Sequence, residues 1–256
     1  MAAAAAVTIA RPSPSSQNAQ RTVPNTPPEL VLIVPVYNEE DAIAPVLSEW
    51  RAELARTVGN GRFLILVVDD GSTDATPSRL AGLAWPELRV LRHTNRGHGQ
   101  SCLAGYIEAA RMGATYVFQI DSDGQCDPAG FARVWWLRES AAAIYGRRMS
   151  RDDGMARRVI SRVLRASLKI ARGTKLNDTN VPFRLYRARL AAAAARRVPA
   201  DFSLANIAMA LLMEREGFLE VPIHFRDRIG GHPTVRLWGF VPKALRLHRD
   251  LFRLGH

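Results

Sequence analysis

Leu30-Val31-Leu32-Ile33-Val34-Pro35-Val36-Tyr37-Asn38-Glu39-Glu40 sets a short, β-rich apolar run directly against an acidic, polar end. The same device recurs downstream. Helical patterns over residues 41–57, 75–83 and 99–112 alternate with apolar runs over 62–68, 89–92 and 115–120. That rhythm predicts βαβ units and an α/β fold with a mainly parallel, Rossmann-like sheet flanked by helices. In such sheets ligands bind in the crevice beyond the carboxyl ends of the strands. Three of those ends are acidic here: Tyr37-Asn38-Glu39-Glu40, Asp69-Asp70-Gly71-Ser72 and Asp121-Ser122-Asp123.

The 256 residues are enough for one large domain. Residues 1–28 are rich in Ala, Pro, Ser and Thr without an apolar period and are expected to form a disordered tail. The catalytic domain is expected over residues 29–232 and a basic, amphipathic helical segment over 233–256. The two cysteines, Cys102 and Cys126, make neither a disulfide framework nor a zinc spacing, which fits a reducing cytoplasm. The longest apolar run, residues 30–36, is far short of the roughly 18 to 20 residues that cross a bilayer. A net charge of +11 speaks of anionic partners rather than of fold.

Asp121 and Asp123 leave the strand over 115–120 on the same side, because side chains alternate along a strand. Paired carboxylates with open positions suit Mg2+ or Mn2+, which bind through a few carboxylates and substrate phosphate oxygens. The bland alternative is a capped turn before a helix opening at Asp127-Pro128. Asp70, beside Asp69, is placed to accept hydrogen bonds from a base edge or a ribose, and Gly71 permits the sharp turn. Asn95-Arg96-Gly97-His98-Gly99-Gln100 is either a phosphate-facing loop at a helix start or a plain tight turn.

Taken in order, Pro35 to Glu40, Asp69 to Asp74, Asn95 to Gly99 and Asp121 to Gln125 resemble the motifs of family 2 glycosyltransferases. The branch they most resemble is the dolichyl-phosphate mannose synthase and polyprenyl-phosphate sugar synthase group. The resemblance implies a GT-A fold and an inverting transfer from a nucleotide-sugar donor. It places Pro35, Tyr37, Glu39 and Asp70 around the nucleoside, with Asp69 and His98 in the same nucleotide-binding set, and Asp121, Asp123 and Gln125 on the metal. His98 stands where the group commonly has lysine, and Cys126 where histidine is frequent. Tyr145-Gly146-Arg147 looks like the group's Gly-x-Arg. The stretch from Asp178 to Phe183-Arg184 resembles its Asp-x-x-x-Gly-Phe-Arg, with Pro182 in place of glycine. Arg228 falls at the group's basic position after Glu220-Val221-Pro222-Ile223.

Residues 155–172 place Arg158, Arg162, Arg165, Lys169 and Arg172 on one helical stripe opposite an apolar face, as an interfacial helix requires. A second such helix is expected from near Pro242. Both are also compatible with a solvated face over a core.

A polyprenyl phosphate acceptor would need basic residues rather than a base, and Arg147, Arg157, Ser161, Arg184 and Arg228 are the candidates. The protein would then be peripheral on the cytoplasmic face of the membrane. A hydroxyl acceptor on a soluble enzyme would need a general base, for which Asp178 is the candidate beside Asp121, Asp123 and Arg147. Nucleic acid is not an expected partner, because the basic stripe carries no interleaved aromatic residues. A nucleotide-binding relative without catalysis is disfavoured by the intact acidic set.

Overall fold

The computed structural model describes residues 26–149, 169, 173–202 and 204–229. The basic stripe over 155–172 (with Arg157 and Ser161), the segment over 233–256, and residues 1–25 of the expected tail lie outside that description, except for Lys169.

The parallel strands are β1 (Leu30–Val36), β2 (Phe63–Asp69), β3 (Leu88–Arg92) and β4 (Tyr116–Ile120). Helices α1 (Ile43–Thr57), α2 (Thr76–Gly82) and α3 (His98–Arg111) connect them. A short α4 (Phe131–Trp136) leads to β5 (Ala143–Arg148). The remainder runs β6 (Phe183–Arg187), α5 (Ala188–Arg197), α6 (Ala205–Glu214) and β7 (Phe218–Ile223). The first four strands and three helices fall within one or two residues of the positions expected from hydrophobic pattern.

The seven strands lie in the order β3-β2-β1-β4-β6-β5-β7. Strand β6 pairs antiparallel with both β4 and β5, and every other pairing is parallel. Strand order reverses between β1 and β4, since the chain builds outward through β2 and β3 before returning to the other side of β1. This is the switch point at which open α/β sheets hold their ligands.

Every residue of β1, β2 and β4 is buried, as expected for strands covered by helices on both faces. On one face Trp50 of α1 packs on Phe118, Phe131 and Phe183, with ring centroids 5.5 to 6.0 Å apart. Replacing so buried a ring with alanine costs about 3 to 5 kcal/mol, so Trp50 belongs to the fold. Alternation sends the next residues of β4 and β6, Gln119 and Arg184, to the other face among Tyr106, Tyr145 and Tyr186. Helix α3 lies close on β1 there: a Cβ at Gly105 would come within 2.5 Å of Ile33 Cγ2.

Candidate active site

Asp121 and Asp123 stand just past the carboxyl end of β4, beside the switch point. Asp123 Oδ1 accepts a hydrogen bond from the Gln125 backbone N–H at 3.1 Å, and Gly124 turns the chain at a φ of 80°. A strap over residues 225–229 runs along this loop, joined by a Cys126–Phe225 bridge. The Arg226 N–H donates to Gln125 O at 2.9 Å and the Ile229 N–H to Asp123 O at 2.9 Å.

Cations face both carboxylates. His98 Nε2 lies 3.4 Å from Asp121 Oδ1, and Arg228 Nη1 lies 3.5 Å from Asp123 Oδ2. Burial raises the Asp121 pKa, and the attraction of His98 opposes it. Burial disfavours the His98 imidazolium, yet Cys102 and then Asp121 outweigh it and push its pKa up to about 10. The His98 side chain remains 46% exposed, so solvent screens part of that attraction.

The donor set suits a divalent cation. Two hard carboxylates close in sequence leave positions open for phosphate oxygens, the way Mg2+ is held in nucleotide sites. Among the described residues no group of three or more His, Cys, Asp or Glu could hold a metal ion by itself. A cation there would therefore be completed by its substrate. The Gln125 backbone is committed to Asp123 and Arg226.

The loops after β1 and β2 are sewn together. Asn38, in the left-handed region at φ 54°, donates its N–H to Ser72 Oγ and accepts from the Thr73 N–H at 2.8 Å. The Glu39 N–H donates to Thr76 Oγ1, and Glu40 and Asp74 exchange bonds with each other's segment. Pro35 is buried in β1, while Tyr37 is one of the few exposed large hydrophobic side chains among the described residues. Burial raises the Glu39 pKa, and Arg228, which hydrogen-bonds its carboxylate, opposes the rise.

Asp69 and Asp70 take structural work that the sequence did not reveal. Asp69 Oδ1 accepts from the Ser72 N–H at 2.8 Å, while Oδ2 lies 3.2 Å from Arg92 Nε without a well-aimed hydrogen bond. Asp70 spends both oxygens on the glycine loop, accepting from the Arg96 N–H at 2.7 Å and the Gly97 N–H at 2.9 Å. Its carboxylate thus shapes the turn into α3 ahead of any contact with a nucleoside.

The basic candidates separate. Arg184 is fully buried and its guanidinium is given to three carbonyls, of Val181 at 2.5 Å, Asn206 at 2.9 Å and Thr179 at 3.2 Å. This corrects the expectation that it grips an acceptor phosphate: it anchors the loop containing Asp178, whose Oδ1 accepts from the Asn180 N–H at 3.0 Å. Glu220 holds the same loop through Asn177. Arg147 is exposed at the end of β5. Its neighbour Arg148 lies with its guanidinium 3.9 Å over the Phe225 ring, its Nε buried without a partner, and its charge lowering the pKa of Asp121. Reading the motif as Gly146-x-Arg148 would have found it.

The family model for Glycosyl transferase family 2 matches residues 31–193. An undecaprenyl-phosphate 4-deoxy-4-formamido-L-arabinose transferase of Pectobacterium atrosepticum is 29% identical over 170 residues, 64% of this chain and 50% of that enzyme. The enzyme of the same name from Pseudomonas savastanoi pv. phaseolicola is 29% identical over 161 residues, 61% of this chain and 46% of its own length. The chain spans about half the length of the curated relatives it matches. Among solved structures, glucosyl-3-phosphoglycerate synthase from Mycobacterium tuberculosis with Mn2+ and uridine-diphosphate-glucose superposes with a TM-score of 0.62 at 18% identity. That match covers 95% of this chain and 85% of the synthase, and at this identity it is a likeness of fold. With the match running through β1, the Asp121 loop and β6, the chain belongs to glycosyl transferase family 2.

Proposed function

We propose that this chain moves a sugar from a nucleotide-sugar donor to a polyprenyl phosphate at a membrane surface, with inversion at the anomeric carbon. The observation that carries the reading is the placement of Asp121 and Asp123 at the β4 end of the switch point, with Arg228 Nη1 3.5 Å from Asp123 Oδ2. The relatives named above are undecaprenyl-phosphate sugar transferases, which supports a lipid phosphate as acceptor.

Asp121 and Asp123 would hold Mg2+ or Mn2+ on the donor diphosphate. Bound there, the cation would offset the charge that grows on the leaving nucleoside diphosphate. Glu39, Asp70 and Tyr37 border the nucleoside end of the crevice. An acceptor phosphate is already anionic, so arginines that hold and aim it replace a general base, and Asp178 is left to shape its loop. No helix among the described residues is long and apolar enough to cross a membrane. Contact with the cytoplasmic membrane face is proposed as peripheral and electrostatic, on the strength of the chain's net charge of +11.

The test is transfer from labelled nucleotide sugars, with Mn2+ or Mg2+, to a polyprenyl phosphate in anionic vesicles. Extraction of labelled lipid, and vesicle binding that weakens with salt, are the expected results. Equal transfer to a sugar alcohol without vesicle binding would replace this reading with a soluble transferase that uses Asp178 as base.

A further inference from the structure

Gln119 is an unusual residue for the middle of a sheet. It lies in β4 between Phe118 and Ile120 and is fully buried. A buried carboxamide must find partners for both of its ends, or it costs free energy comparable to an unmade hydrogen bond. Both partners are present. Gln119 Oε1 accepts from the Tyr106 hydroxyl at 2.9 Å, and Gln119 Nε2 lies 3.4 Å from Asp121 Oδ1.

The orientation of the amide follows from chemistry. A carboxylate only accepts, so the end facing Asp121 must be the NH2; turned over, the amide would set oxygen against oxygen. The oxygen must therefore face α3, where the Tyr106 hydroxyl donates to it. Tyr106 is itself fully buried, edge-on to Tyr186 at 5.6 Å, so its hydroxyl has no freedom to wander. The strand period makes the arrangement possible, since residues 119 and 121 leave β4 on the same face.

We infer that Gln119, held by Tyr106, is the positioning residue that sets the rotamer of Asp121 and aims its carboxylate for a divalent cation. The inference rests on the reading of Asp121 as a metal ligand. It assigns a task to two fully buried side chains whose polar ends packing alone does not explain. Hydrogen bonds to ligating carboxylates of this kind typically account for roughly tenfold to a hundredfold in metal affinity. The 3.4 Å separation is long, and a bound cation that draws Asp121 into one rotamer is expected to shorten it.

The experiment is Mn2+ titration of the whole chain in the presence of UDP, and of GDP in parallel, with protein-bound Mn2+ read by electron paramagnetic resonance and melting temperature recorded for every variant. Wild type should bind, and Asp121→Ala should not; a wild type that binds no Mn2+, or an Asp121→Ala that binds equally, would remove the metal reading and this inference with it. Given that control, Gln119→Met, which keeps length and apolar bulk, should weaken Mn2+ binding roughly tenfold or more. Tyr106→Phe should weaken it by a smaller factor. The double variant should bind no worse than Gln119→Met alone, because the tyrosine acts through the glutamine. Unchanged Mn2+ affinity in a folded Gln119→Met, or additive losses in the double variant, would overturn the inference while leaving Asp121 a ligand. If Gln119→Met does not fold, Tyr106→Phe decides by the same readout.

Discussion

Arg228 ties Asp123 to Glu39: one guanidinium nitrogen lies 3.5 Å from Asp123 Oδ2 and another hydrogen-bonds the Glu39 carboxylate. A single side chain on the strap thus links the loop after β4 with the loop after β1. Arg228→Ala should raise Mn2+ affinity, because a positive charge beside a ligand carboxylate is gone. It should at the same time weaken polyprenyl phosphate binding by about 1.5 to 3 kcal/mol, the usual worth of a charge-assisted hydrogen bond. Opposite movement of the two affinities in calorimetry is the expected signature, and a fall in both would mean that the strap has simply detached.

Asp123→Ala should abolish metal-dependent transfer and leave a folded protein. The side chain contributes one hydrogen bond to its own loop, to the Gln125 N–H, so its structural loss is about 1 kcal/mol. Near-normal turnover with Mn2+ would remove it from the ligand set.

Asp121→Asn separates function from stability. Because burial holds the Asp121 pKa above its ordinary value, the folded state binds this proton more readily than the unfolded chain does. The ionised carboxylate therefore costs stability above the folded pKa, and the cost vanishes at pH values below the unfolded pKa. The asparagine variant should melt somewhat higher than wild type near neutral pH without metal, and the gap should close in acid. The side chain is 32% exposed, so the gain is small. A variant that melts lower at neutral pH would show that the His98 contact outweighs burial.

Asp70→Asn keeps one acceptor where two N–H groups now bind. Amide exchange at Arg96 or Gly97 should accelerate, with weaker nucleotide binding as its consequence. Unaltered exchange at both amides together with lost nucleotide affinity would instead mark Asp70 as a direct contact alone.

Arg184→Met should destabilise the fold by about 3 to 5 kcal/mol in urea titration, since three buried carbonyls lose their donor. A stable variant with weakened acceptor binding would restore Arg184 to the phosphate.

The acidic edge of the crevice was legible because Tyr37, Asp70 and Asp121 each directly follow a strand rich in apolar residues. Tyr37, Asp70 and Asp121 could be placed at one edge from periodicity alone. What the sequence hid were partnerships across the chain. Nothing in Asp69-Asp70-Gly71 says that the second carboxylate folds over Arg96 and Gly97. Arg184 read as a free cation because a charged residue in a strand gives no sign of the carbonyls that Val181, Thr179 and Asn206 bring to it. Arg148 was overlooked for a different reason: two arginines follow Gly146, and only the pleat decides which one turns toward Phe225.

The reversed direction of β6 has a consequence for how the two sides of the crevice can diverge. Ile120 pairs with Phe183, so the start of β6, not its end, meets the acidic edge. Tyr37, Asp70 and Asp121 are thus encoded after their strands, whereas Asp178 and its loop are encoded ahead of theirs. An insertion or exchange within residues 173–181 would recast one rim and leave the strand ends at Tyr37, Asp70 and Asp121 in register, so one side of the crevice can be remodelled while the other keeps its geometry.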